Sequence, residues 1–404
     1  MEASDDDHGE RETAPATPAV GPTLLAFSGA SFMVSLDRAI FAPLLPALAA
    51  DLGTTIGGAG LAVTAYVLPY GLCQLFYGPL GDRHGRVAVV RWAFACFALG
   101  TGLSAFSASL LTLILLRAGT GAAAAAIIPL ALSFIGDTVP YAYRQAAIAR
   151  LLGFTSLGAA LSTAVGGILG GFVSWRAVFA LYGVVALVVT AILFRLPSPR
   201  PTVDGTAPRP RYRDVLALPR ARRLYVVVGL EGTVVLGAFT YLGAYLLDRF
   251  ALDYLRIGLL LACYGGGTLL ASRFFGRFGP RFPESARLLA GGGLLGAGYL
   301  VLFVVPLWSL TALPLLGMGA GFALFHSTLQ TRATDLLPTA RGMAVAVFAF
   351  TLFVGGAIGT AGFGWLATAH GFTPLLLLAG IGMLAITGLA YRTVGEGGGG
   401  HRRA

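Results

Sequence analysis

Lysine is absent from this chain, and charge of either sign is scarce: 28 arginines and 18 acidic residues make up only 11% of its 404 residues. Soluble domains carry roughly a quarter charged residues, so this chain cannot clothe a folded surface in water. Cysteine is nearly missing as well. Cys73, Cys96 and Cys263 all fall within apolar stretches, which excludes a disulfide framework and a C-x-x-C metal pattern. Histidine is limited to five scattered residues, too few and too dispersed for the clustered His/Asp/Glu set of a membrane enzyme. Nothing resembles a nucleotide-binding P-loop. No catalytic residues, metal or cofactor are expected.

What is present is apolar. Hydrophobic residues make up 56% of the chain and the mean hydropathy is +0.79. A helix needs about 20 apolar residues to cross a bilayer. Twelve such runs follow one another: 23–48, 56–80, 87–106, 110–135, 146–173, 177–196, 224–247, 257–275, 288–305, 307–329, 343–367 and 373–391. One cleaved signal peptide or anchor does not explain twelve. The net charge of +10 suggests nucleic acid until the arginines are placed. With both termini on one side, 23 arginines fall on that side and only Arg176, Arg249 and Arg256 on the other. By the positive-inside rule both termini are cytoplasmic, in a multi-pass protein of the inner (plasma) membrane. The charge is a topology signal, and no nucleic-acid partner is expected.

Residues 1–22, with Asp5-Asp6-Asp7 and three prolines, and residues 394–404, with four consecutive glycines, read as disordered cytoplasmic tails. The stretch 197–223, rich in Pro and Arg, reads as a cytoplasmic linker with a short amphipathic helix near 212–218. It separates six runs over 23–196 from six over 224–393. Each half carries related loops. Asp137-Thr138-Val139-Pro140 with Arg144 matches Asp335-Leu336-Leu337-Pro338 with Arg341, and Arg83-His84-Gly85 matches Arg277-Phe278-Gly279, at offsets of 198 and 194 residues. Duplicated halves that rock about a midplane site are typical of secondary transporters.

Between the second and third runs stands Gly78-Pro79-Leu80-Gly81-Asp82-Arg83-His84-Gly85-Arg86. This resembles the G-x-L-x-D-R-x-G-R signature of the major facilitator superfamily. Leu36-Asp37 with Pro43-Leu44-Leu45-Pro46 resembles the first-span motif of its drug:proton antiporters, and Arg117 with Gly121 the R-x-x-x-G motif of span four. Trp175-Arg176 with Phe179 is similar to W-R-x-x-F at the start of span six. The resemblance implies an all-α, twelve-span monomer in two pseudo-symmetric six-helix bundles. It also implies that Asp82 meets the start of span eleven, where a helix N-terminus favours negative charge. Gly78 and Gly85 would allow the turn, and Arg83, Arg86 and Asp137 would complete with Asp82 a charge cluster that latches the halves in the outward-open state; the alternative is a plain topological anchor. Span five departs from the antiporter pattern. Ser162-Thr163 replaces Gly-Pro, leaving Gly158, Ser162, Gly166, Gly167 and Gly170 as a small-residue surface that helix packing alone accounts for.

Ionisable residues deep in spans are functional candidates by default. Asp37 stands about 21 Å from the cytoplasmic face and Arg117 about 18 Å, counting 1.5 Å per residue. Their similar depth suggests a pair, either coupled to transport or a permanent bridge between spans one and four. Arg38 either shares Asp37 or lines a cavity. Glu231 in span seven corresponds to Asp37 in the repeat and lacks a basic neighbour in sequence, so it either takes up and releases a proton or merely tunes cavity charge. His326 is a relay, a cavity hydrogen-bonder or a packing residue. Tyr66, Tyr70 and Gln74 share one face of span two, lining a cavity or serving as interhelical contacts.

The expected function is export of small amphipathic compounds by proton antiport, drawing on an ion gradient. The alternatives are a dedicated sugar or siderophore exporter of the same superfamily, a membrane enzyme, and a sensor that binds without moving its ligand. The expected partners are protons, a small-molecule substrate and the lipid bilayer.

Overall fold

The computed structural model describes residues 20–198, 212–278, 282–337 and 341–395. In the first half, span one is α1 (Val20–Ala39) with α2 (Phe41–Asp51), span two α3 (Ile56–His84) and span three α4 (Arg86–Ser104). Span four is α5 (Leu110–Ala124) with α6 (Ile127–Thr138), span five α7 (Tyr141–Phe172) and span six α8 (Trp175–Arg195). The short α9 (Tyr212–Leu216) leads into α10 (Pro219–Phe239) and α11 (Leu242–Phe250), which together form span seven. Spans eight to twelve are α12 (Tyr254–Phe278), α13 (Glu284–Val304), α14 (Ala312–Asp335), α15 (Arg341–His370) and α16 (Phe372–Ala390). All twelve are long and apolar enough to cross a membrane. Most of both expected tails, and residues 199–211 of the linker, lie outside the described residues, as do Gly279 and Pro338 of the second repeat copy.

Helix starts follow local chemistry. Thr55, Ser109 and Ser174 each accept a backbone N–H three residues on, at 3.0–3.2 Å, satisfying a donor the helix itself leaves free. Between α3 and α4 the chain reverses at Gly85, whose φ of 87° suits only a residue without a side chain.

Three spans are broken in mid-membrane. Pro43 cannot donate to the carbonyl of Ala39, nor Pro129 to that of Ala125, and the helices part at Ile40 and at Ala125–Ala126. Span seven breaks at Thr240–Tyr241 without a proline. There the Thr240 hydroxyl bonds the Leu236 carbonyl at 2.9 Å, a local alternative that loosens a helix. Spans one and seven are repeat counterparts, and their broken segments α2 and α11 pack on each other across the two halves. Gly243 comes so close to the Ala42 carbonyl that any Cβ there would collide.

Among the described residues the halves meet chiefly along three such pairs: α2 on α11, α3 on α15, and α7 on α12. Gly57 at the start of α3 donates to Thr368 near the end of α15 at 3.0 Å. Along α7, Gly171 faces Leu255, Gly167 faces Gly258 and Ala160 faces Gly265. Further toward the Gly85 turn, Thr155 and Ser156 of α7 and Leu269 and Ser272 of α12 instead line open space. The halves are thus in close contact on the face opposite the Gly85 loop and part toward the loop.

Candidate functional site

In the first half, Arg117 of α5 grips Asp37 of α1 with two parallel bonds, Nη1 to Oδ1 at 3.1 Å and Nη2 to Oδ2 at 2.8 Å. Both side chains are sealed from solvent, at 1% and 0% exposure. Gly121, one turn beyond Arg117, lets α5 touch the backbone of Tyr66. This sets the guanidinium 4.3 Å from the Tyr66 ring, with Phe41 at 4.8 Å and Phe179 at 5.5 Å completing an aromatic box. The bidentate geometry and the ring faces compensate for lost hydration. The Arg117 Nε and the Tyr66 hydroxyl keep no partner. On the other side of α1, the Ser162 hydroxyl donates to the Leu36 carbonyl. Gly158, Gly166 and Gly170 sit on Phe32, Ile40 and Leu44, while Gly167 turns to Gly258 of the other half.

In the second half, Glu231 of α10 is fully buried, and its Oε1 lies 3.1 Å from Nδ1 of His326 on α14. Its Oε2 has no partner among the described residues. A carboxylate and an imidazole at this distance are hydrogen-bonded. The His326 ring stacks on Phe322 at 4.8 Å and tilts against Phe348 at 5.3 Å. Phe322 in turn adjoins Tyr264, and Tyr264 adjoins Phe239.

Between the two pairs lies a cavity of about 280 Å³. Its wall is aromatic from both halves, with Phe41, Phe239, Tyr264, Phe322 and Phe353, and is studded with Ser and Thr hydroxyls. Arg38 is its one charged lining residue among the described residues and stands over the Phe353 ring at 5.5 Å. Asp37 and Glu231 do not line it; each stands behind the wall. Tyr66, Tyr70 and Gln74 are turned away too, and span two contributes Val63 and Val67 instead. Tyr66 packs on Arg117, and Tyr70 meets Phe353 edge-on at 4.6 Å.

At the loop face, Arg86 at the start of α4 bonds Asp137 and the Ser133 carbonyl of α6, and pairs with Asp82 at 3.5 Å. Arg83 is exposed and has no partner among the described residues. Gly78 makes no turn: it is exposed within α3, and a Cβ there would meet nothing within 4 Å. The tight spot is Gly81, which packs on Leu130. All these contacts lie within the first half. The second half has an inverted counterpart, Glu284 at the start of α13 pairing with Arg332 on α14 at 2.5 Å.

Residues 27–360 match the family model described as Major Facilitator Superfamily. The chain belongs to that superfamily. It is 28% identical to an uncharacterized MFS-type transporter, YceJ, of Bacillus subtilis (strain 168), over 92% of this chain and 96% of that one. It is also 28% identical to a chloramphenicol resistance protein of Streptomyces lividans, over 79% and 82%. Among solved structures, a bacterial homologue of the human lysosomal transporter Spinster superposes with a TM-score of 0.76 at 20% identity, covering 93% of this chain and 96% of that one. These likenesses make the chain a multi-pass membrane transporter of the superfamily, which is not an enzyme family.

For a superfamily member the site is built from more than the spans' charges. The sequence alone did not bring out the Phe41–Phe179 box around Arg117, although Phe179 belongs to the W-R-x-x-F motif. The other two motif residues, Trp175 and Arg176, bind Asp51 at 3.1 and 2.7 Å, tying span six to the end of span one. Nor did it join His326 to Glu231. The two stand 95 positions apart on different helices, and no local pattern links them.

Proposed function

We propose that the protein exports small amphipathic organic compounds by proton antiport, alternating the access of its central cavity between the two sides of the membrane. Its arginine distribution supports cytoplasmic termini, with the Gly85 loop on the cytoplasmic side. The observation that carries the coupling is Glu231, wholly buried, with one oxygen against His326 and the other without a partner. A buried carboxylate oxygen left without a partner is costly, which makes this pair, rather than the fully bonded Asp37–Arg117 pair, the place for a proton to come and go. The rings from His326 through Phe322 and Tyr264 connect it to the cavity wall, so a bulky occupant and a proton compete for one arrangement of these side chains. Asp37, with both oxygens held by Arg117, is the less free of the two carboxylates. An aromatic wall with scattered hydroxyls suits apolar bodies carrying a few polar groups. A single chain encloses the whole cavity, in keeping with a functional monomer.

The test is accumulation of a panel of amphipathic compounds in inverted vesicles, with and without an acid interior. Glu231→Gln should abolish pH-driven uptake while purified protein still binds the transported compound. Asp37→Asn should have the milder effect on coupling. If both variants keep gradient-driven uptake, neither carboxylate cycles and proton antiport fails as the mechanism.

A further inference from the structure

Arg38 is a cation without a counter-ion. Its neighbour Asp37 points into the protein, where both carboxylate oxygens are taken by Arg117. No carboxylate appears among the cavity-lining residues, and the guanidinium has no hydrogen bond or ion pair among the described residues. It stands over the face of Phe353, at 5.5 Å. Asp37, Arg38 and Arg117 together leave one uncompensated positive charge in the first half, at mid-membrane depth. A ligand that fills the cavity takes the water from this charge, which is costly unless the ligand pairs with it. The surroundings add hydroxyls, each with an O–H that can be donated to a bound anion. The hydroxyls of Ser156, Thr163, Tyr264 and Ser272 also line the cavity and make no hydrogen bond among the described residues, whereas Thr155, Thr240 and Thr360 are each bonded to their own helix.

We propose that the cavity is an anion site: it takes an amphipathic organic monoanion whose carboxylate pairs with Arg38 while its apolar body lies among Phe41, Phe239, Tyr264, Phe322 and Phe353. The guanidinium fork matches a planar carboxylate, and the charge-assisted bonds replace the hydration that both groups lose. The volume of about 280 Å³ confines the ligand to a small molecule of one ring or two. The proposal rests on the reading of this cavity as the transport site and narrows its substrate from amphipathic compounds in general to acids. It also gives the rings and the cation separate tasks. The aromatic wall sets affinity for the body, and Arg38 decides between acid, amide and amine.

The test uses three compounds of one shape: 3-phenylpropanoate, 3-phenylpropanamide and 3-phenylpropylamine. Their binding to the purified full-length chain is measured at pH 7.5 by calorimetry. The acid should bind at least about tenfold more tightly than the amide, with the amine weakest. Arg38→Gln should erase the difference between acid and amide, and Arg38→Lys should retain part of it. Amide binding as tight as acid binding in the unaltered protein overturns the proposal, whether or not either variant folds. So does an acid preference that survives Arg38→Gln, or failure of all three to bind. Uptake into inverted vesicles separates this from the export reading. Gradient-driven uptake of neutral compounds that Arg38→Gln leaves intact would sink the anion site alone. Arg38-dependent binding of the acid without uptake of any compound would sink export alone.

Discussion

At Asp37 and Arg117 two opposite charges are buried with near-ideal geometry, so the pair is easy to break and hard to weaken gradually. Arg117→Ala leaves the carboxylate alone inside an aromatic box, at a cost of about 3–5 kcal/mol. Asp37→Asn strands the guanidinium instead. The double variant Asp37→Asn/Arg117→Gln strands neither charge and should recover stability relative to the worse single variant. Thermal unfolding of the four proteins in one detergent measures this. Simple addition of the two single losses would mean the side chains do not interact energetically. That these residues share a level was legible in the sequence, because helical rise is regular and converts residue number into depth. Their partners were not. The rings of Phe41 and Phe179 reach Arg117 through helix packing that no spacing encodes, and Glu231 reaches His326 across two helices for the same reason.

Elements were legible to the degree that they are apolar. The expected start of span five at 146 falls five positions inside α7, which begins at Tyr141, because its first turn is polar and rises beyond the apolar run. The breaks in spans one and four follow from Pro43 and Pro129. The break in span seven has no proline to announce it. Helix rotation was the least legible property. Tyr66, Tyr70 and Gln74 share a face, but the face that meets the cavity is set where Gly71 packs on Phe353 and Phe350 of α15, and this turns Val63 and Val67 inward. Close approach of the two halves also depends on small residues. A Cβ on Gly258 would stand 2.6 Å from the Gly167 Cα and 2.7 Å from the Thr163 carbonyl oxygen, closer than atoms pack. Gly258→Val should therefore prop α7 and α12 apart on the face opposite the Gly85 loop. With the native cysteines replaced by serine, a cysteine at Thr240 in the cavity should then react with an impermeant maleimide applied from that face. It should be protected when Gly258 is present. Equal labelling in both backgrounds would mean the contact does not seal that face.

Across the whole molecule, the contacts describe one arrangement of the halves, and the alternating access proposed above requires a second. The halves touch through Gly57 and Thr368, Gly167 and Gly258, and Ala42 and Gly243, and they part toward the Gly85 loop. In this state Asp82 bonds no described residue of the second half. Its side chain is 45% exposed and pairs with Arg86 of its own half at 3.5 Å, while Arg86 is anchored to Asp137. The cluster is instead preassembled on one half, waiting for the other to arrive. When the halves rock the opposite way, α15 is the element that closes on it, since α3 and α15 are already packed together further along. The first turn of α15 brings a helix N-terminus and the exposed Arg341, both favourable to a carboxylate by about 1 kcal/mol. That amount shifts a two-state balance roughly fivefold. Asp82→Asn should leave the present state as stable as before and deplete the state closed at the loop face by about that factor. Spin labels at Leu80 and Gly342 report the balance directly, as two distance populations whose ratio changes toward the longer distance in the variant. Arg86→Gln should act in the same direction by freeing Asp82 from its preassembled position. Unchanged populations in Asp82→Asn would reduce the loop cluster to a topological anchor and place the control of alternation in the glycine contacts on the opposite face.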